Sequence, residues 1–240
     1  MDRVFKVKAI WTPDLKRFIK QIVVSVISYF TLPFFRGKDN GVLLFFERTY
    51  NNNIDELIFD GGTGGYYEKI ELSKTKNLLI GANVIDLGCG NNSFYYWLQK
   101  KHIPFNLYKG LDFAVNSKSA KERFEIIKDN ILNFADYLLS EKNFILLCNV
   151  VCYLSDEEVS FILRRVPTDA IVTIIDPSPG LFWDAHFEGV KPEYRSIGMI
   201  ERILQSHKYS IISKVQDYLM AIGKKHFLFP LSYCICAVHK

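Results

Sequence analysis

Apolar and polar positions follow two different regimes along the chain, with the change near residue 75. Beyond it, strand-like apolar runs at 83–87, 106–112, 125–127, 143–149 and 170–175 alternate with helix-length segments around 93–101, 116–124 and 156–165. That alternation predicts a parallel sheet wound with helices on both faces. Two more strand-like runs, 209–216 and 231–239, follow, separated by a helical or looped stretch. The expected fold is therefore α/β, a doubly wound sheet of seven mostly parallel strands. Residues 1–75 form a separate N-terminal extension, expected to be helical, and residues 76–240 the main domain.

Within the extension, Leu15, Phe18, Ile19, Ile22, Val26, Tyr29 and Phe30 recur at helical spacing on one side. Lys16, Arg17, Lys20, Gln21, Ser25 and Ser28 gather on the other, and Pro33 stops the pattern. The β-branched run Ile22-Val23-Val24 counts against a helix. Segment 15–35 has three readings: docking on the main domain, peripheral contact with a membrane interface, or a span. Its apolar part, 22–35, interrupted only by Ser25, Ser28 and Thr31, is shorter than the roughly 20 residues a span needs. No small-residue cleavage site precedes Arg36-Gly37-Lys38, so no removable signal peptide is expected. Further on, 41–47 reads as a short strand and Asn51-Asn52-Asn53 as a turn. Asp60-Gly61-Gly62-Thr63-Gly64-Gly65 is expected to be an irregular loop, since its glycines carry a large entropic cost inside a helix or strand. It lacks the Lys-Ser/Thr of a phosphate-binding loop, leaving a hinge beside a ligand pocket or a plain turn.

Composition narrows the class without choosing within it. With 49% apolar and 23% charged residues, the chain is an ordinary globular protein. A net charge of +4, with its densest basic groups at Lys16-Arg17-Lys20 and Lys224-Lys225-His226, argues against a dedicated nucleic-acid binder. The 15% aromatic share suits a large core or an apolar ligand pocket. Cys89, Cys148, Cys152, Cys234 and Cys236 are odd in number, and the last four lie within apolar runs. They are expected to bind no metal and to be free thiols of a reducing, cytoplasmic compartment.

The chemistry concentrates at the ends of the predicted strands. Val84-Ile85-Asp86-Leu87 runs into Gly88-Cys89-Gly90, and a helix is expected after Asn91-Asn92-Ser93. Two glycines one residue apart let the backbone approach a ligand, and the helix start presents amides there. Asp112 ends the next run about twenty residues on, the distance of a carboxylate that receives ribose hydroxyls. Asp129 follows the third run, where an acceptor for an adenine amine can sit. Three acids after three successive strands point to a nucleoside ligand. Each has a plainer reading as well: a tight turn for the glycines, a helix cap for Asp112 or for Asn149.

Segment 84–92 resembles motif I of the class I S-adenosylmethionine-dependent methyltransferases, an acid followed by Gly-x-Gly. The resemblance covers roughly 76–240 and implies S-adenosylmethionine as cofactor and a sheet whose last strand is antiparallel. It implies that Asp86, Gly88, Cys89 and Gly90 cradle the cofactor and that Asp112 holds the ribose. Phe113 would pack on adenine, Asp129 and Asn130 would meet its amine, and Asn149 would line the methionine end. Two positions depart from the pattern. Asn92 stands near the place of a third glycine, and Cys152-Tyr153 replaces the Glu-His of many small-molecule members. A dinucleotide-binding dehydrogenase is the rival fold, but its last glycine is Ser93 here.

The resemblance implies transfer of a methyl group, which requires an aligned nucleophile and, for a hydroxyl, a base. His186 in Trp183-Asp184-Ala185-His186 is the candidate base, against the plainer reading of a surface histidine; His102 is its weaker rival. The Asn/Asp-Pro-Pro-aromatic motif of amino-methylating nucleic-acid enzymes is missing from the fourth strand, and Asp176-Pro177-Ser178-Pro179 resembles it only superficially. The expected acceptor is a small molecule, a sugar or lipid-linked saccharide. The contrasting expectation is a catalytically inactive protein that keeps the fold as a binding or partner-docking module.

Overall fold

A computed structural model describes residues 5–8, 64–90, 92–114, 119–139, 141–178, 193–220 and 228–240. Among the described residues nine strands form one sheet: β1 (Phe5–Lys8), β2 (Asn83–Leu87), β3 (Leu107–Asp112), β4 (Ser119–Lys121), β5 (Phe124–Lys128), β6 (Asn143–Cys148), β7 (Ile171–Pro177), β8 (Tyr209–Met220) and β9 (Leu228–His239). Their order across the sheet is β1-β8-β9-β7-β6-β2-β3-β5-β4. The seven expected strands are all present, and β1 and β4 extend the sheet at its two edges. β2 pairs in parallel with both β3 and β6, β3 with β5, and β6 with β7. The last strand, β9, runs antiparallel between β7 and β8.

Among the described residues four helices cover the two faces: α1 (Gly64–Leu72), α2 (Ser93–Lys100), α3 (Asp156–Arg165) and α4 (Ile197–Ser206). Side chains alternate across each strand, so the sheet supplies two cores. Val84, Tyr108, Phe144 and Leu146 meet Tyr67 and Ile70 of α1 and Phe94, Trp97 and Leu98 of α2. On the opposite face Ile85, Leu87, Leu111, Ile145 and Leu147 meet Val159, Ile162 and Leu163 of α3 and Ile200 and Leu204 of α4. Every residue of β2 is buried, as expected of a strand flanked by parallel neighbours and helices.

From β2 the chain moves outward through β3 to β5, then returns to β6 on the other side of β2. The carboxyl ends of β2 and β6 thus meet at a topological switch point, where open α/β sheets bind ligands. The turn that leaves β6 is set by the start of α3. Ser155 accepts the Glu158 amide at 3.2 Å while Glu158 Oε2 accepts the Ser155 amide at 2.8 Å, a reciprocal cap. Ser155→Ala should lower the stability by about 1 kcal/mol, read as a shifted midpoint in urea unfolding with an unchanged slope.

Three expectations are corrected. The stretch 116–124 is not a helix in its described part, 119–124. Ser119–Lys121 pairs antiparallel with β5 across a tight turn at Glu122-Arg123, so edge pairing prevails over a helix-compatible composition. Gly64 and Gly65 lie in the first turn of α1 rather than in a loop. Glycine is tolerated near a helix start, where amides lack intrahelical partners, and burial of Tyr67 and Ile70 rewards the turn. The described parts of the stretch between the last two runs, 217–220 and 228–230, are strand, because β8 and β9 pair as far as Met220 and Leu228. Helix α4 went unassigned in the sequence although Ser196 caps it, accepting the Met199 amide at 3.3 Å. Segments 15–35, 41–47 and 51–53 lie outside the described residues. Among the described residues, no helix is long and apolar enough to cross a membrane.

Candidate active site

The loop after β2 is built by three left-handed residues in close succession: Gly88 at φ 73°, Gly90 at 53° and Asn92 at 64°. Gly88 donates its amide to Leu111 O at 2.7 Å, tying the loop to the end of β3. A Cβ on Gly88 would stand 2.4 Å from Val150 Cγ2, so glycine lets the loop after β2 pack against the turn after β6. Asn92 is a reasonable substitute for a third glycine, because asparagine tolerates the left-handed conformation. Its side chain does not cap α2, and its Oδ1 is buried without a hydrogen bond.

Asp112 closes the loop from the neighbouring strand. Its Oδ2 accepts the Gly90 amide at 2.9 Å and its Oδ1 the Ala114 amide at 2.8 Å. Burial raises its pKa from the ordinary carboxylate range, against the lowering effect of those two amides. Asp86 lies at the end of β2, 2% exposed, and its Oδ2 accepts the Tyr108 hydroxyl at 2.5 Å. Burial pushes Asp86 up to about 7; the Tyr108 bond opposes this and the charge of Asp112 adds to it. Loop and two acids therefore form one connected unit.

The other expected residues are placed around it. Phe113 follows Asp112 at the end of β3 and is 39% exposed. The Asp129 amide donates to Asp112 O at 3.3 Å, which brings the ends of β3 and β5 together. The Asp129 carboxylate accepts from the Asn130 amide, Asn133 Nδ2 and Tyr137 Oη at 2.7–2.9 Å. Asn130 caps the 3₁₀ turn Ile131–Tyr137 by accepting the Leu132 amide at 3.0 Å. Asn149 adopts φ 57° after β6 and donates its amide to Ile175 O at 2.8 Å, while its Oδ1 is buried without a hydrogen-bond partner. It therefore does not cap α3, a role taken by Ser155. Cys89 is buried with only a long contact, 3.8 Å, to Gly90 O. His186 lies outside the described residues. His102 is exposed at the far end of α2.

Two residues escaped the sequence reading. Asp176, 1% exposed at the end of β7, is pushed up by burial despite the Cys152, Val150 and Asn149 amides and the Arg195 guanidinium around it. Its Oδ1 makes no hydrogen bond. Arg195, 3% exposed, binds Asp156 Oδ1 at 2.7 Å and the carbonyls of Val151 and Leu154 at 2.8 Å. It fixes the turn that carries Asn149 and Val150. The only signal for Asp176 was its place before Pro177 at a strand end, and Arg195 had none. Among the described residues no group of His, Cys, Asp and Glu is arranged to hold a metal ion. A cavity of about 450 Å³ between Tyr95, His102, Phe105 and Arg123 lies at the opposite end of the strands, away from the acids.

No family model matches the sequence, and no curated protein matches it. Solved structures do match. The Burkholderia thailandensis 1,6-didemethyltoxoflavin-N1-methyltransferase, solved with 1,6-didemethyltoxoflavin and S-adenosylhomocysteine, superposes with a TM-score of 0.58 at 13% identity over 83% of this chain and 87% of its own. A methyltransferase dependent on S-adenosylmethionine from Archaeoglobus fulgidus gives 0.55 at 15% identity, over 77% of this chain and 98% of its own. The chain has the fold of the class I S-adenosylmethionine-dependent methyltransferases.

Proposed function

We propose that the protein binds S-adenosylmethionine and transfers its methyl group to a small-molecule acceptor. The observation that carries this reading is the single unit formed by the Gly88–Gly90 loop, Asp86 and Asp112 at the switch point of the sheet. The donor set suits the group. Asp112 uses one lone pair on each oxygen for an amide, leaving capacity to accept ribose hydroxyls. Gly88 and Gly90, at φ 73° and 53°, turn the loop so that its backbone can approach a ligand, with Cys89 between them, and the buried Oδ1 of Asn149 is an unused acceptor. Phe113 supplies a ring for adenine, with Asp129 and Asn130 beyond it.

When bound, the cofactor supplies a methyl group already activated on a sulfonium, so the protein's task is chiefly alignment. In this reading His186 takes the proton of an acceptor hydroxyl. The domain of 76–240 carries the cofactor, with 1–75 as its extension. The acceptor we favour is a sugar or lipid-linked saccharide. Its lipid form rests on the amphipathic pattern of 15–35, and liposome flotation at low salt in which the full chain stays unbound would remove that basis.

Calorimetry with S-adenosylmethionine and S-adenosylhomocysteine tests the reading. Wild type should bind both in the micromolar range, and Asp112→Ala should weaken both by at least about tenfold, roughly 1.4 kcal/mol. A folded wild-type protein that binds neither would overturn it.

A further inference from the structure

Arg195 stands one residue before the cap of α4, and its side chain is only 3% exposed. Its Nε donates to Asp156 Oδ1 at 2.7 Å. Its Nη1 donates to the carbonyls of Val151 at 2.8 Å and Glu193 at 3.3 Å, and its Nη2 to Leu154 O at 2.8 Å and Glu193 Oε2 at 3.1 Å. Every N–H of the guanidinium is thereby used, which leaves none for a ligand. The Glu193 amide adds a bond of its own, to Cys152 O at 2.7 Å.

All of these contacts converge on the turn after β6. That turn closes two backbone bonds itself, from the Tyr153 amide to Val150 O at 2.9 Å and from the Leu154 amide to Val151 O at 3.2 Å. The carbonyls of Cys152 and Leu154 turn instead to residues 193–195, some forty positions later in the chain. The residues so held are Asn149 and Val150. Asn149 is a non-glycine residue at φ 57°, with its Oδ1 buried and unpaired. Val150 lies so close to the loop after β2 that a Cβ on Gly88 would meet its Cγ2 at 2.4 Å. A left-handed backbone and an unmatched buried acceptor both cost free energy in the unliganded fold. They persist only where the surroundings over-determine them. A planar five-donor fork does this; an ammonium on a flexible stem does not.

We infer that Arg195 is a positioning residue for the ligand at the switch point. It never touches the ligand, but by clamping the turn after β6 it holds Asn149 in its left-handed conformation with Oδ1 ready to accept a hydrogen bond. This rests on the proposed cofactor, whose affinity Arg195 sets through Asn149.

The test is a double-mutant cycle on the full chain with Arg195→Lys, Asn149→Ala and the pair. Calorimetry with S-adenosylhomocysteine reads affinity and urea unfolding reads stability. Arg195→Lys should weaken binding by about tenfold or more in the wild-type background and by less than about twofold once Asn149 is alanine. Its shift of the unfolding midpoint should be the same in both backgrounds, because the clamp's part in the fold does not pass through the Asn149 side chain. Asp156→Ala frees only the Arg195 Nε and should give the same pattern with a smaller loss, so it decides the matter if Arg195→Lys does not fold. Equal losses of affinity in both backgrounds would make Arg195 a general support of the fold and overturn the inference. Wild-type affinity in either Arg195→Lys or Asn149→Ala would overturn it too, with the cofactor reading intact. A folded wild type that does not bind S-adenosylhomocysteine overturns the cofactor reading and the inference together.

Discussion

Asp86→Asn is expected to make the unliganded protein more stable at pH 8 and to remove most of its affinity for S-adenosylmethionine. The first half follows from burial. An aspartate has an unfolded value near 3.9, and in the folded protein burial carries Asp86 up to about 7. The folded state therefore holds this proton over a range where the unfolded chain has lost it. Stability falls as pH rises from about 4 to about 7 and levels off above that. The whole penalty is at most roughly 4 kcal/mol, present in full at pH 8. Asparagine removes the charge and keeps an oxygen to accept the Tyr108 hydroxyl, so the packing around Tyr108 and Phe124 survives. A stabilisation of roughly 2–4 kcal/mol corresponds to a rise in melting temperature on the order of 5–10 °C for a chain of this size. The second half follows from the same charge. The ionised carboxylate is the anion at the end of β2, so wild-type affinity for the cofactor should drop as pH falls below about 7, approaching tenfold per pH unit. The variant should bind weakly and lose that dependence. Differential scanning calorimetry and a binding titration from pH 5.5 to 8.5 would measure both. A variant that melts no higher at pH 8, or that binds as wild type does, defeats the argument.

How much of this was legible in the residues differs by region, for physical reasons. The segment 83–87 was read to the residue because a strand buried on both faces gathers β-branched and apolar residues, Val84, Ile85 and Leu87, and a positive-φ turn leaves glycines behind it. Asp112 was legible because the strand before it has to end where the loop after β2 returns. Helix 156–165 was equally clear, as Ser155 and Glu158 write its cap into the sequence. The edge strand β4 was not, because a three-residue strand has no period and Ser-Ala-Lys suits a helix as well as an edge. Helix α4 was obscured by Gly198 in its first turn. Asp176 and Arg195 owe their place to contacts across the fold: Arg195 reaches the site because it binds carbonyls some forty residues earlier in the chain.

The contact between the loop after β2 and the turn after β6 yields the other large effect. Gly88→Ala adds a methyl group that would lie 2.4 Å from Val150 Cγ2, and it does so at φ 73°. The left-handed backbone alone costs an L-residue roughly 1–2 kcal/mol. Overpacking a buried contact adds roughly 1–3 kcal/mol, for a total of roughly 2–5 kcal/mol. Gly81 separates the two contributions. It has a similar φ of 67° with nothing within 4 Å of an added Cβ, so Gly81→Ala carries the backbone strain alone. Gly198 has neither strain nor a neighbour, and Gly198→Ala in α4 should stabilise by up to about 1 kcal/mol. The ordering of denaturation midpoints should therefore be Gly198→Ala above wild type, Gly81→Ala below it, and Gly88→Ala lowest. Binding should follow a different order. Gly81 is remote from the acids and its variant should keep wild-type affinity for S-adenosylhomocysteine. In Gly88→Ala the relief of the clash moves Val150, and with it Asn149, away from the loop, so affinity should fall by about tenfold or more. If Gly88→Ala costs no more than Gly81→Ala and binds as well, Val150 yields without disturbing the site. The turn after β6 would then be a neighbour of the loop rather than one wall of the cofactor pocket.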